Sequence, residues 1–329
     1  MAPYARLTGW GMWVPERVMT NQELEAMVDT SDAWIRRRTG IGERRIAGSQ
    51  DTAVTMGVAA GRRALEVAAL SPQDLDLIIV ATVTSERIFP ACASQLQHAL
   101  GASRAAAFDV NAACSGFIYA LVTAYQFVLS GTCRRVLVVG TEVYSRILNW
   151  QDRSTCVLFG DGAGAVVVEA GPPPTDALSF VLGSDGAGAD LLYVPGLCGA
   201  AGPFNQDGHH YLTMVGAEVF KFAIAATVAA TQQALAAAQL DISQVDILIP
   251  HQANYRIITA AARALEIPSE RVFMNLERYG NTSAASIPMA LCEAIDQGRL
   301  KKGDHLVLVG FGGGLSWGAV ALHWAGGRN

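Results

Sequence analysis

RRALEVAALSPQDLDLIIV at residues 62–80 aligns without a gap with QQALAAAQLDISQVDILIP at residues 232–250, a shift of 170 positions. Ala64, Leu65, Ala68, Leu70, Asp76 and Ile79 recur as Ala234, Leu235, Ala238, Leu240, Asp246 and Ile249. The same shift carries Ala120-Leu121 onto Ala290-Leu291 and RVLVVG at 135–140 onto HLVLVG at 305–310. It also sets Asn111 and Cys114 against Asn281 and Ala284. An offset held this far along the chain marks an internal duplication. Each copy reads helix, apolar strand, loop, helix, apolar strand. The strand candidates at 75–82, 135–140, 245–249 and 306–310 are short, continuous β-branched and leucine runs, as expected where both faces are covered. The fold class is therefore α/β, with two pseudo-duplicated halves. Gly171-Pro-Pro-Pro-Thr175 reads as the join, because three prolines end a sheet strand. The halves are then residues 1–171 and 178–329, and a ligand between them would meet loops at strand ends.

Cys114 stands in the first copy's loop, in Asp109-Val-Asn-Ala-Ala-Cys114-Ser-Gly-Phe117. Apolar residues at Phe117, Leu121, Ala124, Tyr125 and Val128 predict a helix that stops at Ser130-Gly131. The cysteine then lies at a helix N-terminus, where the dipole favours a thiolate, so it is expected to be a nucleophile at neutral pH. Alone it reads equally as a small buried residue between strand and helix. The duplication supplies companions. His251, after the second copy's first strand, and Asn281, before its counterpart of the cysteine helix, are presented toward the same region. Singly, they read as a strand-end histidine and a helix cap.

The chain has 329 residues, 51% hydrophobic, with 33 glycines and a net charge of −5. That balance gives no global attraction to nucleic acid or to an anionic membrane, so an acidic partner must be met by a local basic patch. The six cysteines show no metal-ligand spacing, and a reduced, cytoplasmic setting is expected. The N-terminal residues lack a signal peptide's apolar core, and the uncharged run at 222–240 reads as a packed helix. Gly310-Phe-Gly312-Gly313-Gly314 fails the dinucleotide fingerprint, but its glycines allow backbone N–H groups close to a ligand oxygen. Phe159-Gly-Asp161-Gly-Ala-Gly164 lacks a phosphate loop's lysine and is expected to form a structural turn. His209-His210 with Asp207 make a poor ligand set, so no metal is expected.

Taken in order, these motifs resemble the thiolase-fold condensing enzymes, and most closely the β-ketoacyl-acyl-carrier-protein synthase III family. The resemblance covers essentially the whole chain. It rests on Thr30-Ser-Asp-Ala-Trp34-Ile, Arg38-Thr-Gly-Ile41, Ala113-Cys114-Ser-Gly-Phe, Phe159–Gly164, His251-Gln-Ala-Asn254, Gly280-Asn281-Thr-Ser and Phe311–Gly314. It implies a layered αβαβα core and a Cys-His-Asn site, whereas elongating synthases carry Cys-His-His. The implied reaction is decarboxylative condensation of an acetyl-CoA or similar short acyl-CoA primer with malonyl-acyl carrier protein, giving 3-ketoacyl-acyl carrier protein and initiating fatty acid synthesis. The alternative is an acyltransferase or starter-loading enzyme, or a condensing enzyme of a specialised polyketide-like pathway.

The resemblance also implies residue roles. Cys114 would carry the acyl group as a thioester, and His251 and Asn281 would donate hydrogen bonds to the malonyl thioester oxygen. The backbone N–H groups of Cys114 and Gly313 would form the oxyanion hole. Trp34, Arg38 and Arg153 would bind the CoA nucleotide and Asn254 its pantetheine arm, while Lys221, Arg256 and Arg263 would receive the acidic carrier protein. Phe89 would cross a homodimer interface to close the partner's acyl pocket. CoA enters as substrate thioester, with no cofactor. Ala91-Cys92 and Val215 depart from the family's usual residues and bear on the primer.

Overall fold

A computed structural model describes residues 4–171, 173, 175–196 and 211–326. The readings placed on Cys198, Asp207, His209 and His210 lie outside the described residues.

Two sheets carry the duplication. The first has strands in the spatial order Tyr4–Trp13, Asp161–Gly171, Arg135–Val143, Leu77–Ala81, Ala106–Val110. The second has Ala177–Ser184, Ser316–His323, His305–Gly312, Ile247–Pro250, and then a single parallel bridge from Leu248 to Val272 where the first sheet has its last strand. In both, the first two pairings are antiparallel and the remaining ones parallel.

Helices Gly116–Leu129 and Ser286–Asp296 are sandwiched between the sheets. One apolar cluster joins them, with Phe117, Leu121, Tyr125, Ile287 and Leu291 meeting Ile79, Val138, Ile249 and Leu308. Helices Ala53–Val67 and Cys92–Leu100 cover the outer face of the first sheet, and Gly216–Ala238 and Tyr255–Ala264 that of the second. The layers run α, β, α, β, α. Gly216–Ala238 is apolar and long enough to span a membrane, yet Ala230, Ala234 and Leu235 are buried in the outer core.

The repeat extends to backbone detail. Ala69 and Gln239 both adopt positive φ, at 49° and 57°, as do Ala113 and Ser283, at 45° and 51°. The Asp76 carboxylate accepts the Arg135 N–H at 2.9 Å, and the Asp246 carboxylate accepts that of His305 at 2.8 Å. These carboxylates satisfy backbone donors beside the strands, which explains why both aspartates recur.

One motif differs from its reading. Residues 161–164 begin the strand Asp161–Gly171 instead of turning. The Asp161 carboxylate is buried and accepts from Ser145 Oγ at 2.6 Å, Ser145 N at 2.9 Å and Ala47 N at 2.7 Å, so its polarity is spent inside the sheet edge. Gly164 is glycine because helix Ser286–Asp296 comes so close that a Cβ there would lie 2.7 Å from Met289 N. Asp109 likewise uses both carboxylate oxygens, accepting from Cys92 N and Ala93 N at 2.7 Å each, and so caps the helix Cys92–Leu100 with a negative charge.

Candidate active site

Cys114 occupies a 3₁₀ turn, Ala113–Ser115, that leads directly into helix Gly116–Leu129. Ala113 takes its left-handed backbone immediately before the cysteine, a conformation that costs about 1–3 kcal/mol and is retained at functional sites. The glycine run closes over it: a Cβ on Gly312 would stand 2.6 Å from Cys114 N, so only glycine permits this approach.

The expected low thiol pKa is not what the site produces. Burial pushes the Cys114 thiol up to about 11; the Ser283 and Tyr144 hydroxyls beside it pull downward, and the Glu142 carboxylate adds to the rise. Desolvation is the largest influence and disfavours the thiolate. The resting cysteine is therefore a thiol at neutral pH.

His251 follows strand Ile247–Pro250, and its backbone N–H donates to Val309 O at 2.8 Å, tying it to the neighbouring strand. Its ring is buried and packs edge-on against Phe311 with centroids 5.1 Å apart. Burial pushes its pKa down to about 3, so the imidazole is neutral. Nδ1 lies 2.6 Å from Ser286 Oγ, which also accepts the Gln252 N–H at 3.3 Å. Among the described residues the Ser286 hydroxyl has no other acceptor, so it donates to Nδ1 and leaves the ring proton on Nε2.

Asn281 is fixed by the same logic. Its Oδ1 accepts the Ser283 N–H at 2.8 Å, which turns the Nδ2 amino group outward as donor. Its backbone N–H donates to Leu158 O at 2.8 Å and its carbonyl accepts from Gly160 N at 3.0 Å, so the loop is stitched to the first half.

Cys114 lies where two cavities meet. A cavity of about 90 Å³ is lined by Cys114, His251, Asn281, Asn254, Phe220 and Phe311, among others. A cavity of about 670 Å³ is lined by Cys114, Tyr119, Tyr144, Leu192, Gly313 and Ser316, among others. His251 and Asn281 thus share one chamber with the thiol, and Gly313 borders the other.

Of the remaining expected residues, only Asn254 borders either cavity. Asn254 lines the smaller cavity, and its Oδ1 caps helix Tyr255–Ala264 by accepting the Arg256 N–H at 2.8 Å. Lys221 is exposed and pairs with Glu218 at 3.0 Å, while the Arg256 guanidinium lies 5.3 Å from the Phe220 ring that lines the cavity. Arg263 is exposed in the last turn of the same helix as Arg256. Trp34 and Arg153 lie together, the guanidinium 5.1 Å from the indole centroid, and Arg38 lies at 6.0 Å. A planar ring inserted between Trp34 and Arg153 must displace the arginine, which also donates to Asp29 O at 2.6 Å. Phe89 borders neither cavity and is 84% exposed. Four residues at the centre, Glu142, Tyr144, Ser283 and Ser286, carried no signal in the motif reading. Ser283 stood inside the motif Gly280-Asn281-Thr-Ser without an assigned role, Ser286 lies three residues beyond it, and Glu142 lies two residues past the strand candidate at 135–140.

Comparison with known proteins gives the family. The family described as 3-oxoacyl-[acyl-carrier-protein (ACP)] synthase III matches residues 108–186, and its C-terminal region matches residues 235–324. A β-ketoacyl-[acyl-carrier-protein] synthase III of Roseiflexus castenholzii is 52% identical over 99% of this chain and 100% of that protein. Synthase III 1 of Bacillus anthracis is 50% identical over 97% of this chain and 98% of its own length. The crystal structure of 3-oxoacyl-[acyl-carrier-protein] synthase III from Aquifex aeolicus superposes with a TM-score of 0.92 at 47% identity, covering 97% of this chain and 100% of that one. The five layers are those of the thiolase-like fold, and the chain belongs to the β-ketoacyl-[acyl-carrier-protein] synthase III family of condensing enzymes.

Proposed function

We propose that the chain condenses an acyl-CoA primer with malonyl-acyl carrier protein, releasing CO₂ and CoA and giving a 3-ketoacyl-acyl carrier protein that initiates fatty acid synthesis. The observation that carries this reading is the pair of fixed N–H donors, His251 Nε2 and Asn281 Nδ2, in the chamber that also holds Cys114.

The sulfur of Cys114 attacks the acyl-CoA thioester, and the acyl group passes to Cys114 as CoA leaves. Malonyl-acyl carrier protein then enters, its thioester oxygen bonded by His251 and Asn281. Loss of CO₂ leaves negative charge on that oxygen, and two donors already oriented stabilise the enolate without reorganising. The enolate carbon attacks the acyl thioester, with the oxyanion held by the backbone N–H groups of Cys114 and Gly313. Collapse expels the Cys114 thiolate and frees the product.

In this reading residues 1–171 supply the nucleophile and residues 178–329 the two donors. Asn254 holds the pantetheine arm, and Trp34, Arg38 and Arg153 take the nucleotide. Lys221, Arg256 and Arg263 receive the carrier protein's acidic surface. The 84% exposure of Phe89 supports a homodimer in which it reaches the partner's larger cavity. Thioester exchange and decarboxylation here need no bound cofactor, and the cytoplasm is the setting.

His251→Ala and Asn281→Ala test the reading. Each is expected to abolish condensation while Cys114 still becomes acylated; condensation at the parent's rate in either variant overturns it.

A further inference from the structure

Glu142 lies on strand Arg135–Val143, is fully buried, and has no part in the chemistry above. Its Oε2 accepts from Thr84 Oγ1 at 2.6 Å, Val83 N at 3.2 Å and Thr82 Oγ1 at 3.3 Å. Among the described residues its Oε1 accepts from Ser283 Oγ alone, at 3.1 Å. Among the described residues no lysine or arginine pairs with it. A carboxylate buried without a cation is expensive, and three donors on one oxygen leave the other aimed at the active site.

Ser283 connects the two. Its Oγ lies 3.1 Å from Tyr144 OH as well as from Glu142 Oε1, and it has one proton to give. Both contacts have Ser283 Oγ as the donor; the ionised carboxylate can only accept, so the single proton goes to Glu142, and an Oγ lone pair is left for the Cys114 thiol, on which this hydroxyl acts. Ser283 carries this hydroxyl on a left-handed backbone with φ 51°, in a turn packed against the one that holds Cys114; the duplicated position, Ala113 with φ 45°, has the same backbone and no hydroxyl.

We propose that Glu142, acting through the Ser283 hydroxyl, holds the Cys114 proton for as long as the cysteine is acylated. The proposal rests on the acylation step of the function proposed above. As the sulfur bonds to the acyl carbon, the thiol proton passes to Ser283 Oγ and the serine's own proton to Glu142. CoA leaves as a thiolate and takes its proton from water. When the tetrahedral intermediate of condensation collapses, the C–S bond electrons return to Cys114 and the stored proton comes back along the same path. Each turnover thus restores a thiol and a carboxylate.

The acid–base order suits a store of this kind. Burial pushes Glu142 up to about 7, below Cys114, so transfer is uphill at rest, proceeds only as the thioester forms, and reverses once the thiolate is expelled. The titratable side chains that feel the Glu142 charge are Cys92, Cys114 and Tyr144, all acids pushed upward themselves. None of them competes for its proton at neutral pH.

The test is rapid-quench acylation of Cys114 by acetyl-CoA, followed by intact mass, in the parent, Glu142→Gln and Ser283→Ala. Glu142→Gln is expected to slow acylation roughly 100-fold at pH 7, with the deficit narrowing toward pH 9, where hydroxide takes the proton instead. Alkylation of Cys114 by iodoacetamide at pH 9 is expected not to slow, because a negative charge beside the thiol has been removed. An infrared difference spectrum of the parent should show a protonated carboxyl band on acylation that Glu142→Gln lacks. Parent-rate acylation in Glu142→Gln, or no such band, overturns the proposal, and so does an equal fall in acylation and alkylation. Should Glu142→Gln fail to fold, Ser283→Ala decides, since Ala113 shows that alanine accepts this backbone: slowed acylation supports the relay and parent-rate acylation ends it. A parent that forms no acyl-Cys114 at all removes the functional reading together with this one, and is told apart by failing before any variant is compared.

Discussion

Replacing Ser286 by alanine removes the one group that, among the described residues, holds the His251 ring through Nδ1. The hydroxyl bonds Nδ1 at 2.6 Å between two buried side chains, and without it the Nε2–H form leaves Nδ1 as an unsatisfied buried acceptor. Such a group costs about 1–3 kcal/mol. Nδ1 stays unpaired in either tautomer, so the loss falls on every state that keeps Nε2–H aimed into the chamber, and the population of that orientation relative to a turned ring drops roughly 5- to 150-fold. Acylation of Cys114 does not use His251 and should keep its rate. The assay starts from pre-acylated protein, adds malonyl-acyl carrier protein, and follows product by intact mass in a single turnover, with acylation measured separately. Condensation falling within the stated range while acylation holds is the expected outcome. Condensation within twofold of the parent would refute the reasoning, as would equal losses in both steps, which would mean that the loop had moved rather than the ring.

Two further predictions follow from burial. Because the Cys114 thiol is pushed up to about 11, roughly one molecule in ten thousand carries the thiolate at pH 7. Its alkylation by iodoacetamide should rise about tenfold per pH unit from 7 to 9, and a plateau near neutrality would restore the helix-activated thiolate. His251, pushed down to about 3 from an ordinary 6.5, stabilises the fold fully only above pH 6.5, where the unfolded imidazole is also neutral. As pH falls toward 3 the unfolded state binds the proton first and stability is lost, by about 2 kcal/mol between pH 7 and pH 5. Denaturant titrations should show the parent's advantage over His251→Gln shrinking by that amount over this interval; an advantage unchanged with pH contradicts the buried neutral ring.

The fold was legible because the duplication left its mark on residues with backbone duties. Asp76 and Asp246 recur since each holds a strand's N–H, and the apolar runs recur since each strand is covered on both faces. The missing fifth strand of the second sheet, reduced to the bridge at Val272, was invisible because its apolar residues pack alike in strand or loop. At the site, Cys114, His251 and Asn281 stood out through position relative to strand ends. The thiol's acidity did not, because helix placement is local and readable while burial is set by chain segments far away in sequence. Glu142 was hidden for the same reason. Inside a strand of Val, Leu and Gly it reads as an isolated polar residue, and only the fold brings Ser283 to it. The expected turn at 159–164 failed because Gly160 and Gly164 serve close packing with the second half, not a reversal of the chain.

Incubation of the protein with a panel of acyl-CoAs and malonyl-acyl carrier protein, with intact mass of the carrier protein as readout and Cys114→Ala as control, tests the proposed reaction most directly. A 3-ketoacyl-carrier product from one or a few primers, absent in the control, is the predicted result and names the primer. Acylation of Cys114 with no ketoacyl product from any primer would contradict condensation and leave acyl transfer in its place.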